Sequence, residues 1–367
     1  MKEVFQMKKI RLMDTIEDYK KLGVNPDFIE RWEEQRRTDD SKGTWEWWYF
    51  DGIMNDGSKI VIQFFTKTNE AVSGSIGAPN LAIKITTPDG VKYEEHPHFS
   101  LDETTYGKGK CDVHFGKNKF VGDFKDYEIH VEPVNGLGAD LKIHSVSQPY
   151  RPGTAYFEIG DKYYTWLCAM PKGEVTGTIT VNGEEIDVCG TGYHDHQWGT
   201  MNLLQIWNHW LWSRQSFNDY SILVFDMTAQ RKLGSKRFPI MFIEDKDGRI
   251  IFESHNNVKY DLLESYVDDE SGKVYPKSSR YEFENDDKKV VYTITEEAIL
   301  ENTTMGKAMP LKTRIALKAI GLNPSYARYS GTGTLIISEK VNDEFERSGE
   351  LIFEFMYPGK EDFTKFL

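Results

Sequence analysis

Six consecutive residues, Tyr193-His194-Asp195-His196-Gln197-Trp198, carry two imidazoles, a carboxylate, a phenol and an indole. They follow the strand-like run VNGEEIDVCGT. If they continue that strand, side chains alternate between its faces, so His194, His196 and Trp198 share one side and Tyr193, Asp195 and Gln197 the other. Two histidines one residue apart on a strand is a spacing that zinc sites use, and His209 or Asp226 could supply a third ligand. No downstream carboxylate or histidine completes a cupin-like pattern, so no metal is expected. A hydrogen-bonded polar cluster is the plainer alternative. An acid–base site is the third.

The next strand-like run, YSILVFDM, sorts Tyr220, Ile222, Val224 and Asp226 onto one face. A carboxylate in an apolar row must find a partner or take up a proton. A protonated acid beside an apolar hollow could protonate an alkene. Between these strands, WNHWLWSRQ places Trp207, His209 and Leu211 against Asn208, Trp210, Trp212 and Arg214. Upstream, TWEWWYFDG places Trp45, Trp47 and Tyr49 against Glu46, Trp48 and Phe50. Indole and phenol faces attract a developing carbocation, or they pack an ordinary core.

These residues need a β framework, and the chain supplies its grammar. Two helices are expected first, over MDTIEDYKKLG with Asp14 or Thr15 as cap and Gly23 as stop, and over NPDFIERWEEQRR with Asn25 as cap. After Gly43 short alternating runs separated by turn pairs predominate; Asn182-Gly183 between two such runs is the clearest hairpin signal. NPSYARYS is the remaining helical candidate. Gly177-Thr178-Ile179-Thr180 and Gly333-Thr334-Leu335-Ile336 lie in similar settings. We expect an all-β protein: residues 1–43 a helical segment, 44–203 one barrel-like domain, 204–367 a second packed against it.

Composition narrows the partners. A net charge of -13 disfavours nucleic acid, which selects a cationic footprint. No run approaches the length of a membrane helix. Three cysteines without a CxxC, in a chain with no signal-peptide pattern, read as free buried thiols of a cytoplasmic protein. P-loop, GxSxG and dinucleotide motifs are missing from the sequence, which argues against those chemistries. Oligomeric state is not readable.

The segments EWWYF, NKFVGDFKDYEIHV, RPGTAY, MPKGEVTGTITVNG and GTGYHDHQWG resemble the carotenoid 1,2-hydratase and AttH-like superfamily, which includes kievitone hydratase and decalin-forming Diels–Alderases. The resemblance implies two lipocalin-like barrels and cofactor-independent chemistry on a hydrophobic polyene or isoprenoid. It also implies that a His and a Trp of an HxW pattern act with a Tyr and an Asp of the following strand. His196, Trp198 and Asp226 match; Val224 and Phe225 stand near where the phenol would be, and Tyr220 is the nearest phenol upstream.

The expected catalytic set is therefore Asp226 as a general acid of raised pKa, His196 to orient it or activate water, and Tyr193 and His194 to complete the network. Trp47, Tyr49, Trp198, Trp210, Trp212, Arg214 and Tyr220 are expected to line the substrate. Hydration, isomerisation and cyclisation are all open outcomes. A carrier that leaves its lipophile unchanged, and a pericyclase that transfers no proton, are the alternatives.

Overall fold

Asn182 and Gly183 adopt φ of 53° and 82°, the left-handed pair that a two-residue hairpin requires. They join two of the longest strands in the computed structural model, which describes residues 9–67, 72, 77–285, 288–304, 311–339 and 344–367. The chain divides into two units. One is Arg11–Leu203; the other is Leu204–Leu367 with the described residues before Arg11.

The first unit is a thirteen-stranded antiparallel sheet among the described residues. Its centre is β1 (Trp45–Met54), β2 (Lys162–Val181) and β3 (Glu184–Gly199), with β3 between the other two. The second unit is a nine-stranded sheet. It contains β4 (Trp207–Ser216), β5 (Tyr220–Ala229), β6 (Arg237–Asp245), β7 (Leu322–Glu339) and β8 (Glu344–Gly359). The topology is shared. In each sheet the strand that opens the meander pairs with the strand that ends it, β1 with β3 and β4 with β8. The two Gly-Thr echoes lie in β2 and β7, each the strand before the last. Each sheet curls round its own apolar core, one including Trp48, Phe50, Ile62, Phe64 and Phe120, the other Leu211, Val224, Tyr281, Tyr292 and Phe353.

Local sequence explains the first helix, α1 (Ile16–Leu22). Thr15 accepts from the Asp18 N–H at 3.2 Å, Asp18 accepts back from the Thr15 N–H, and Gly23 ends the helix at φ 67°. The second expected helix does not form. Asn25 closes a turn on the Asp27 N–H, and a single 3-10 turn remains at Arg31–Glu34. Tertiary contacts override propensity here. Glu33 is held by Arg151 at 2.8 Å, and Glu34 reaches the sheet core. Residues 11–43 are thus part of the first unit, not a separate segment. NPSYARYS is also not helical but lies in β7; the helix of this region, α2 (Leu311–Ala319), precedes it. No helix among the described residues is long and apolar enough to cross a membrane.

Candidate active site

Register decides which side chains meet. β3 pairs with β1 so that Phe50 faces His194, Trp48 faces His196 and Glu46 faces Trp198. Leu167 of β2 faces His196 from the other side. Strand alternation therefore puts His194, His196, Trp198, Glu46, Trp48 and Phe50 on the core face. Tyr193, Asp195, Gln197, Trp47 and Tyr49 lie on the opposite face.

On the core face each histidine has its own glutamate. His194 Nδ1 donates to the Tyr49 carbonyl at 2.7 Å, and its Nε2 lies 2.6 Å from Glu34 Oε1, one proton between them. Tyr127 donates to the other Glu34 oxygen at 2.9 Å, and burial beside that carboxylate pushes the phenol pKa well up. Glu34, Cys111 and His194 each offer one ligand atom within 4.8 Å of one another, so they are the described residues that could take a cation. The two histidines do not converge on one point, because each is aimed at a different glutamate.

His196 Nε2 lies 2.7 Å from Glu46 Oε1. Glu46 is held in turn by the Arg37 N–H, the Thr38 N–H and the Thr38 hydroxyl, each at 2.7 Å. The carboxylate thus fixes the tautomer: Nε2 carries the hydrogen, and Nδ1 a lone pair. Nδ1 is buried and has no hydrogen-bond partner among the described residues. Trp48 stacks on the ring at 4.7 Å and Trp198 tilts against it at 4.6 Å. Burial lowers the His196 pKa, so the resting ring is neutral.

Trp198 and Leu167, the neighbours of this imidazole, also line a narrow recess with Tyr156, Arg37 and Glu33, too tight as it stands to hold a water. The Tyr156 hydroxyl receives Trp198 Nε1 and Arg37 Nη2, both at 3.3 Å. The Arg37 guanidinium lies 4.6 Å over Trp32 and 5.6 Å from Trp198. The segments EWWYF, NKFVGDFKDYEIHV, RPGTAY and GTGYHDHQWG, remote in sequence, all contribute to this cluster.

On the opposite face, Asp195 accepts from Tyr193 at 2.9 Å, Trp166 at 3.3 Å and Gln197 at 3.2 Å. Burial raises its pKa to about 6. Tyr193 thus serves Asp195 and lies away from His194 and His196, contrary to the single network expected. Trp47 is likewise on this face, against Trp45 and Phe65. Tyr49 lies near Tyr193, with ring centroids 6.2 Å apart.

The expectation for Asp226 is overturned in one respect. It does sit in the apolar row with Tyr220, Ile222 and Val224, but β6 brings Arg237 onto it. Arg237 Nε donates to Oδ1 at 2.8 Å, Nη2 to Oδ2, and Tyr281 to Oδ2 at 2.9 Å. Burial alone would raise this pKa; the guanidinium reverses the sign and lowers it. A resting acid of raised pKa is therefore not what Asp226 provides. Its partners and those of His196 each belong to their own unit.

The aromatic row of β4 is divided as well. Leu211 enters the second core, while Trp210, Trp212 and Arg214 project from the other face and are half-buried. Tyr220 packs on the second core.

Sequence reasoning missed Glu34, Glu46, Arg37, Tyr156 and Arg237. A signal existed for Glu46, since the period-two pattern puts it in a row with Trp48 and Phe50. Glu34 had none, because it meets His194 across 160 positions.

The architecture is shared with solved small-molecule proteins. CghA crystallised with Sch210972 matches with a TM-score of 0.60 at 14% identity, over 91% of this chain and 96% of that one. Kievitone hydratase from Nectria haematococca matches with a TM-score of 0.53 at 13% identity, over 90% and 94%. The chain belongs to the Diels-Alderase-like family, whose sequence model matches residues 7–292. The quinolone epoxide rearrangement protein penF of Penicillium thymicola is 24% identical over 232 residues, which are 56% of this chain and 61% of penF, less than two thirds of that relative's length. The superfamily read from GTGYHDHQWG thus holds.

Proposed function

We propose that this protein is an enzyme that rearranges, cyclises or hydrates a hydrophobic, unsaturated small molecule, and that His196 moves the proton. The observation that carries this reading is the bare, buried Nδ1 of a neutral imidazole whose other nitrogen is committed to Glu46. Nδ1 takes a proton from the ligand, or from a water that attacks it. Glu46 and the faces of Trp48 and Trp198 stabilise the imidazolium so formed. The imidazolium then returns the proton to the product. Arg37 and Tyr156 provide polar atoms beside Trp198 for a carbonyl or epoxide oxygen, once the ligand has opened the narrow recess there.

Family membership and the names of relatives concerned with epoxide rearrangement and hydration support the reaction class. That Cys111, Cys168 and Cys189 form no disulfide among the described residues supports a reducing, cytoplasmic setting.

The test begins with the compound that co-purifies, identified by mass spectrometry of an organic extract. Purified protein is then incubated with that compound and with a quinolone epoxide, and products are followed by chromatography. His196→Gln is expected to keep ligand binding and to lose turnover by ~10²–10⁴-fold. Unchanged turnover in His196→Gln would remove the proton-transfer reading in favour of a pericyclase. Binding without any product would identify a carrier.

A further inference from the structure

α2 departs from the usual rule for a surface helix, which turns its aliphatic side inward. Leu311 is 67% exposed and Ile315 60%, and they lie one turn apart on the same side. Ile320, just past the helix, is 53% exposed. The helix has no buried residue. It is attached through Leu317 and Arg314, both half-buried, which line a cleft with Leu322 and Pro324.

The charge of this helix is as unusual as its exposure. Residues 311–322 contain Lys312, Arg314 and Lys318 and no Asp or Glu, in a chain of net charge -13. By helical angle, Lys312 and Lys318 flank the Leu311–Ile315 stripe. Lys360, also exposed, reaches the Lys318 carbonyl at the end of the helix at 3.5 Å. Beside Lys360 in the chain, Glu361 pairs with Arg231 at 3.8 Å, and Asp362 caps Thr364 at 3.0 Å.

From this pattern we infer that α2 docks the protein on an anionic membrane surface. Leu311 and Ile315 enter the boundary between headgroups and acyl chains, while the lysine ammonium groups remain among the phosphates. Charge complementarity selects this occupant. A second copy docking through the same face would set Lys312, Lys318 and Lys360 near their own counterparts. The inference rests on the surface of the second unit and is independent of the reaction assigned to His196.

Co-sedimentation of the full chain with vesicles tests it. The protein is expected to sediment with vesicles of phosphatidylcholine mixed with phosphatidylserine, less with phosphatidylcholine alone, and less as salt rises. Leu311→Asp with Ile315→Asp should abolish the association. Lys312→Gln with Lys318→Gln should weaken it about fivefold for each cation removed. Circular dichroism should match wild type for both pairs, since these side chains stand in solvent; should the aspartates disturb the helix, the glutamine pair decides alone. The inference is overturned by failure to sediment with the anionic vesicles, or by sedimentation insensitive to the glutamine pair. A dimer that forms at high protein concentration and is dissolved by the aspartate pair would assign the face to a second copy instead.

Discussion

The inner faces of the two sheets hold buried charge in contrasting ways. In the first unit, two carboxylates meet imidazoles, Glu34 with His194 and Glu46 with His196. In the second, the carboxylate of Asp226 meets a guanidinium and a phenol. An imidazole gives and takes protons in the physiological range; a guanidinium does not. The same topology therefore carries imidazole–carboxylate pairs on one sheet and a guanidinium–carboxylate ion pair on the other. The partner of a buried carboxylate, more than its burial, sets its chemical role.

The contrast would break most visibly in turnover. His196→Gln is expected to lose ~10²–10⁴-fold, whereas Asp226→Asn, assayed below its own unfolding temperature, should retain most activity. The reverse ranking would move the proton-transferring group to the second unit.

Stability against pH separates the units next. In the second unit, His209 is packed among Phe355, Tyr357, Phe363 and Phe366, and burial pushes its pKa down to about 3. The unfolded imidazole titrates near ~6.5, so as pH falls from there toward 3 the unfolded chain binds a proton the folded one refuses. Stability is lost over that window, by about 5 kcal/mol at most. In the first unit Asp195 does the opposite. Its folded pKa of about 6 exceeds the ordinary 3.8, so the folded state gains the proton first. Stability rises as pH falls across that interval, by about 3 kcal/mol. Denaturant titrations across pH should find the acid loss flattened in His209→Phe and steepened in Asp195→Asn. An unaltered slope in His209→Phe would remove His209 as its source.

Asp226→Asn should also cost about 3–5 kcal/mol of unfolding free energy, because Arg237 is left buried without its counterion. Asp226→Leu combined with Arg237→Met should recover most of that loss, and denaturant midpoints with unchanged slopes would report it. Little recovery would mean that the pair has a further structural role.

The smallest expected effect sharpens the role of Glu46. Thr38→Val deletes one hydroxyl donor to Oε2 but retains both backbone donors. It should cost about 1 kcal/mol and lower turnover only severalfold. Rescue by Thr38→Ser would distinguish the lost hydrogen bond from altered packing.

Much of this arrangement is legible in order and pattern. The Asn182-Gly183 turn, the α1 cap and the face shared by His194, His196 and Trp198 all follow from nearest neighbours. Alternation also places Asp226 in its apolar row, but the neutralising Arg237 lies eleven residues on in another strand. The segment NPDFIERWEEQRR carries good helix signals and still opens into a loop, because Glu33 and Glu34 gain more from Arg151 and His194 than from helical hydrogen bonds.

By itself the sequence determined the alternation of side chains, the turns that punctuate it and the family to which it belongs, since these depend on residues adjacent along the chain. Only the tertiary structure decided which glutamate holds which histidine and which acid is locked by arginine. Hydrogen bonds and ion pairs act over a few ångströms, and strand register together with the packing of the Arg31–Glu34 turn brings residues more than a hundred positions apart within that reach.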